Sequence, residues 1–367
     1  MINVLLFGQV PPPYHGQSVM IKSLVDNLES ENIKIFFVRM EYSKTIDHVG
    51  KFDLQKIRAL FSLLGKATSV LINNHIDYIY YPPTGFGKIP FYRDIITLLY
   101  LKLFGKKIVF HFHGMGLDEN FSQSNTLVKY LAKKAYFKPY VNIYLSHYNE
   151  KYLNFLQPVY SKIVPYGIED VSLKFNGKRK NTTKKRVLYL GNLIRSKGIF
   201  DFIEAIKVLH QKKMDVEGVI IGGIPDKETE NELKNRGLFD SDFIHYLGIK
   251  TGDEKWMELA RADAFCFPTY YETENLPVVI IEAMQFSLPI ISTNWRSIPS
   301  MVTDNYNGYI VLAKAPLSIA EKIIAIFKNE ETYQQLANNS RKRYLDSFQR
   351  ETYISRIREV FFLSKMK

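Results

Sequence analysis

Short, almost uninterrupted apolar runs alternate along the chain with longer stretches whose apolar positions recur every three to four residues. In the first half the runs are INVLLFG (2–8), IKIFFVRM (33–40), IDYIYYP (76–82), KIVFHFHG (107–114) and VNIYLSH (141–147). Between them lie helix-period segments such as GQSVMIKSLVDNLES (16–30) and PFYRDIITLLYLKLFG (90–105). Strand-like runs separated by helical segments predict βαβ units and a parallel sheet.

The pattern then restarts. NGKRKNTTKKRV (176–187) is polar, charged and unpatterned, as a linker would be. After it come RVLYLGN (186–192), GVIIGG (218–223), FIHYLG (243–248), AFCFP (264–268) and LPIIST (288–293), again with helical patterns between. The expectation is an α/β fold of two doubly wound, Rossmann-like domains, residues 1–170 and 171–345. Residues 341–363 read as one or two amphipathic helices, and the segment 346–367 is expected to pack back on the first domain. Open parallel sheets take ligands at the carboxyl ends of their strands. Two such sheets facing across a cleft would therefore carry the site on strand-to-helix loops.

Length agrees with this division, since 367 residues exceed the usual single core. Cys266 is the only cysteine, which rules out a disulfide framework or a cysteine metal cluster and fits a reducing compartment. The opening MINVLLFGQVPPPYHG lacks a basic leader and a long apolar run, and the apolar segment 95–104 is too short to span a bilayer. A cytoplasmic chain is expected. The net charge of +12 is evenly divided, with 19 Lys+Arg against 13 Asp+Glu in residues 1–170 and 30 against 24 thereafter. A solvated basic surface accounts for such a balance, as would contact with anionic lipid or with a nucleotide or polyphosphate ligand. Nucleic acid is not expected, because neither zinc-finger spacing nor an RNA-binding signature is present.

Four stretches carry candidate chemistry. In GQVPPPYHGQS, Gly16 would open the helix after the first strand, where backbone approaches a phosphate or sugar; an ordinary Pro-rich turn reads the same way. In HFHG, alternation puts His111 and His113 on one face at a strand end, placed to bond a sugar hydroxyl or phosphate, or simply packed and satisfied. A third metal ligand beside them is not evident, and no metal is expected. In GNLIRSKGIFDFIEAI (191–206), Arg195 and Lys197 occupy the loop before a helix starting near Gly198, a cationic setting for a diphosphate or merely a basic surface loop. Finally, YYETENLPVVIIEAM (270–284) holds Glu274 and Glu282 on either side of seven residues. Pro277 suits a helix start, so the two carboxylates would bracket a ligand along that start, Glu274 at one end and Glu282 at the other.

These residues resemble glycosyltransferase family 4, the retaining nucleotide-sugar transferases of GT-B fold, over essentially the whole chain. The most specific part is the E-x7-E motif from Glu274 to Glu282; GNLIRSKG, the HG at 113–114 and VPYGIE (164–169) add to it. The resemblance implies that Glu282 binds the donor ribose and that Glu274 positions the donor sugar. It further implies that Lys197 holds the diphosphate and stabilises the leaving group, and that His113 contacts the sugar or acceptor. Gly16 would approach the donor phosphate or the acceptor, and Ile249 in HYLGI (245–249) would frame the base. Three positions depart from the family pattern. Asn192 stands where an arginine is frequent, with Arg195 as its replacement. Pro277 stands for a glycine, leaving the amides of Leu276 and Val278 for donor contacts. His15-Gly16 stands for a Gly-Gly pair.

The implied activity is metal-independent transfer of a sugar from a nucleotide-diphosphate donor, UDP-linked by expectation, to a saccharide or lipid-linked acceptor in bacterial surface-polysaccharide assembly. The first domain would serve the acceptor and the second the donor; no cofactor is expected. Rival readings are a UDP-sugar epimerase of the same fold and a non-catalytic nucleotide-sugar-binding partner of an active transferase. Lysines 129, 133, 134 and 138, interleaved with Tyr130, Tyr136 and Phe137, suggest either peripheral contact with an anionic membrane at the inner face of the cell membrane or simply a solvated helix.

Overall fold

The computed structural model describes residues 1–12, 14–40, 54–175 and 184–363. Residues 176–183 of the expected linker lie outside the described residues. The chain forms two units, Met1–Tyr166 with Glu351–Lys367, and Gly167–Arg350.

In the first unit β1 (Ile2–Gly8), α1 (Gly16–Asn27), β2 (Ile33–Arg39), α2 (Leu54–Asn73), β3 (Tyr78–Tyr81), α3 (Lys88–Lys102) and β4 (Lys107–His111) follow one another. They are succeeded by α4 (Leu117–Gln123), α5 (Thr126–Tyr136), β5 (Val141–Tyr144), α6 (His147–Leu153) and β6 (Tyr160–Ile163). The strands pair in parallel in the order β2-β1-β3-β4-β5-β6. Val4, Leu5, Leu6 and Phe7 are all buried, because helices cover both faces of a parallel sheet. Each such side chain contributes about 1.5–3 kcal/mol on leaving water.

Two expected boundaries shift for physical reasons. The strand in the run 107–114 ends at His111, with one further bond from the Phe112 N–H to the Ile143 carbonyl at 3.0 Å, so His113 stands just beyond the strand end. The run 141–147 ends at Tyr144, because Ser146 caps α6 by accepting the Asn149 N–H through its hydroxyl. The sequence pattern also did not mark β6, a four-residue edge strand with no fully buried position.

The second unit repeats the plan. β7 (Lys185–Leu190), α7 (Ile199–Gln211), β8 (Val216–Ile221), α8 (Lys227–Asn235), β9 (Ile244–Tyr246), α9 (Gly252–Arg261), β10 (Ala264–Phe267) and α10 (Val278–Gln285) come first. Then follow β11 (Ile290–Thr293), β12 (Gly308–Val311), α11 (Pro316–Ile326) and α12 (Glu330–Ser347). The order is β12-β11-β10-β7-β8-β9, again all parallel, so the strand order reverses between β7 and β10.

α13 (Arg350–Phe362) returns the chain to the first unit. Its Arg358 donates to the carbonyls of Asn27, Leu28 and Glu29 at 2.7, 3.1 and 2.8 Å, satisfying groups that the end of α1 leaves free. Phe361 packs edge-on against Tyr78 at 5.4 Å between ring centroids.

Candidate active site

The strand-order reversal between β7 and β10 marks where an open α/β sheet receives a ligand. The loops leaving these two strands are joined there. Tyr270 donates its N–H to the Ser196 carbonyl at 2.7 Å. Gly198 has φ +81°, and a Cβ on it would lie 2.2 Å from the Pro268 carbonyl oxygen, so only glycine lets the two loops meet. The turn Arg195–Lys197 ends at Gly198, from which α7 starts without a side-chain cap. α10 likewise starts from Pro277 without one. Both helix starts therefore present backbone N–H groups free of side-chain caps, with the positive end of the helix dipole.

Lys197 and Glu274 meet at this junction, Nζ to Oε2 at 3.1 Å, with 20% and 13% of their side chains exposed. The Lys197 ammonium also lies 5.0 Å from the Tyr271 ring centroid and 5.6 Å from that of Phe267. The loop before α10 is fixed from its far side. Trp295 donates its indole N–H to the Tyr271 carbonyl at 2.8 Å, and Ser297 donates its hydroxyl to the buried Asn275 side chain at 2.7 Å. Leu276 is buried and Val278 half-buried, one on each side of Pro277.

Glu282 lies in the second turn of α10 with its side chain 11% exposed. Its Oε1 accepts from Lys255 Nζ on α9 at 2.7 Å. Lys255 escaped the sequence reading because nothing local couples α9 to α10; the only signal is a Lys-Trp pair within an otherwise polar helix.

The remaining donor-side candidates divide. Asn192 and Ile249 both border Gly223, with Asn192 Oδ1 at 3.7 Å and the Ile249 side chain at 3.3 Å from the position of a Cβ there. Ile249 is 71% exposed. Arg195 is placed differently: its guanidinium pairs with Glu232 on α8 and stacks over Phe200 at 4.5 Å from the ring centroid. That pair is exposed, and such pairs hold only about 0–1 kcal/mol.

In the first unit Gly16 starts α1 behind His15, whose Nδ1 accepts the Ser18 N–H at 3.3 Å while Ser18 Oγ accepts the His15 N–H at 3.1 Å. His113 is buried, and both its ring nitrogens face tyrosine hydroxyls, Tyr166 at 2.7 Å from Nδ1 and Tyr80 at 3.3 Å from Nε2. Tyr80 also reaches His111 Nδ1 at 2.7 Å. Burial, reinforced by the nearby His15, pushes the His113 pKa down to about 3; burial likewise holds His111 well below the usual histidine range. Both imidazoles are therefore neutral near pH 7, suited to hydrogen bonding and not to carrying charge. Tyr80, Tyr166 and, from α13, Tyr353 complete this aromatic group, and none of the three is among the candidate residues read from the sequence.

Among the described residues no group of three or more His, Cys, Asp and Glu side chains is gathered to hold a metal ion, and no helix is long and apolar enough to cross a membrane. On α5, Lys133, Lys134 and Tyr130 are exposed while Ala132, Ala135 and Tyr136 face the core. Lys134 Nζ lies 5.6 Å from the Tyr130 ring centroid.

Two units, each a parallel six-stranded sheet with interleaved helices, define the GT-B fold of glycosyltransferases. Residues 170–343, all within the second unit, match the model of the family described as glycosyl transferases group 1. The capsular polysaccharide biosynthesis glycosyltransferase CapM of Staphylococcus aureus is 29% identical over 161 residues, covering 44% of this chain and 41% of that protein. The chain spans about half or less of the length of the curated relatives it matches. Among solved structures, sucrose-phosphate synthase from Thermosynechococcus elongatus superposes with a TM-score of 0.76 at 16% identity over 100% of both chains. Anabaena HepE in complex with UDP-glucose gives 0.67 at 15% identity, also over 100% of both chains.

Proposed function

We propose that the protein is a retaining, metal-independent glycosyltransferase. It would move a sugar from a UDP-linked donor to a saccharide or lipid-linked acceptor in surface-polysaccharide assembly. The observation that carries this reading is the Lys197–Glu274 pair at the β7/β10 junction, beside the uncapped starts of α7 and α10. A donor diphosphate seated there meets one ammonium and two sets of backbone N–H groups. As the glycosidic bond breaks, negative charge grows on the leaving diphosphate, and donors already in place stabilise it without reorganisation.

Glu274 orients Lys197 and faces the sugar end, where its carboxylate accepts from sugar hydroxyls. Glu282, further along α10, accepts from the ribose. The UDP donor is supported by the likeness to HepE, and the polysaccharide role by the likeness to CapM. His113, neutral and held by two tyrosines, would serve the sugar or acceptor as a hydrogen-bonding group. Peripheral contact with an anionic membrane through the exposed lysines of α5 would bring the enzyme to a lipid-linked acceptor.

The test is incubation with UDP-, GDP- and ADP-sugars, following release of the nucleoside diphosphate with and without acceptor saccharides. Turnover or slow hydrolysis of a UDP-sugar, with the anomeric configuration kept in any product, is the expected result. Tight UDP binding without either reaction would make the protein a non-catalytic partner. Epimerised donor would make it an epimerase.

A further inference from the structure

Among the described residues Glu282 has one side-chain hydrogen-bond partner. Its Oε1 accepts from Lys255 at 2.7 Å, and no hydrogen bond reaches Oε2 from the described residues. Lys255 is held equally firmly. Its Nζ sits 3.9 Å from the Trp256 ring centroid, and Trp256 stacks on Phe286, the residue after α10, with centroids 6.2 Å apart and planes at 24°. The ammonium thus bridges α9 and α10 over an aromatic support that fixes its position. An ammonium carries three donors, and only the one directed at Glu282 is used within the described residues. With 19% of the lysine and 11% of the glutamate side chain exposed, the pair keeps a narrow opening to solvent.

The pair therefore presents, side by side, a carboxylate oxygen and ammonium N–H groups that no other group among the described residues engages. A hydroxyl both donates and accepts one hydrogen bond readily, and a vicinal diol offers two such groups in fixed geometry. A carboxylate alone would meet only the donating half of that demand.

We propose that Lys255 is a second ribose-binding residue, acting with Glu282 as a single diol-reading pair in which Glu282 accepts from, and Lys255 donates to, the ribose hydroxyls. This rests on the reading of Glu282 as the ribose acceptor. Lys255 thereby sets the discrimination between ribose and deoxyribose nucleotides. It also keeps Glu282 aimed at the diol.

The test is calorimetry with UDP, 2′-deoxy-UDP and 3′-deoxy-UDP on the wild type, Lys255→Met, Lys255→Arg and Glu282→Gln. The wild type should favour UDP over at least one deoxy analogue by about tenfold, the value of one good hydrogen bond to a charged group. In Lys255→Met the UDP affinity should fall by about tenfold while affinity for that analogue stays put, so the discrimination collapses; Lys255→Arg should restore part of it. A purely structural lysine gives another pattern: Lys255→Met weakens all three ligands equally, or none. Either result overturns the proposal. If Lys255→Met fails to fold, Lys255→Arg decides alone: a UDP to deoxy-UDP affinity ratio below that of the wild type supports the contact, and an unchanged ratio overturns it. A wild type that ignores UDP overturns the underlying ribose reading. Collapse of discrimination in Glu282→Gln but not in Lys255→Met leaves that reading standing and removes Lys255 alone.

Discussion

Lys197 and Glu274 lie 77 residues apart in the chain and 3.1 Å apart in the fold, joining the loops that leave β7 and β10. The contact exists because Gly198 admits the Pro268 carbonyl, and it places the only expected diphosphate cation that is not engaged by α8 beside a carboxylate of the E-x7-E motif.

Lys197→Met should lower turnover by about 10²–10³-fold, the effect of removing one preorganised donor from developing charge. It also leaves Glu274 without its cation in a largely buried place, so some stability is lost as well. The double variant Lys197→Met/Glu274→Gln separates these effects. Thermal unfolding should recover toward the wild type while turnover stays low. Recovery of turnover together with stability would show that the lysine only supports the fold.

Activity should survive EDTA, because in the proposed reading Lys197 and the helix-start amides would take the role a divalent ion fills at the diphosphate. Rates measured before and after chelation check this. Loss with EDTA and return with manganese or magnesium would contradict it.

Acid should weaken the first unit. His111 and His113 are neutral in the fold, with pKa values pushed below the ordinary 6.5 by burial. The unfolded chain binds protons that the folded chain refuses once pH falls below about 6.5, so their contribution is fully present above that value and is lost toward pH 3. Each such histidine gives a slope of up to about 1.4 kcal/mol per pH unit in that window. Urea midpoints at pH 7, 6, 5 and 4 should fall steadily, and more gently in His113→Gln. A flat profile would show that the imidazoles take up protons without cost.

Much of this was legible in the chain because buried parallel strands read as continuous apolar runs, as 2–8 and 186–192 do. The two strands the sequence pattern does not mark, β6 and β12, have four residues each and sit at sheet edges; β6 has no fully buried position, and β12 is a short GYIV run opened by a glycine. At the candidate site, Lys197, Glu274 and Glu282 stand out in the sequence because a cationic loop and a spaced pair of carboxylates are visible locally. Lys255 does not, since its partner lies 27 residues away on another helix. Tyr80, Tyr166 and Tyr353 come from three distant segments, and only the fold brings them to the histidines.

The division of labour between the two glutamates is tested most directly by titrating UDP into Glu282→Gln and Glu274→Gln and measuring donor turnover in each. Glu282→Gln should lose about 10–100-fold in UDP affinity, since a charge-assisted hydrogen bond contributes roughly 1.5–3 kcal/mol. Glu274→Gln should bind UDP nearly as the wild type does and lose turnover instead. Equal loss of UDP affinity in both variants, or unchanged affinity in Glu282→Gln, would contradict the assignment of one carboxylate to the nucleoside and the other to the transferred sugar.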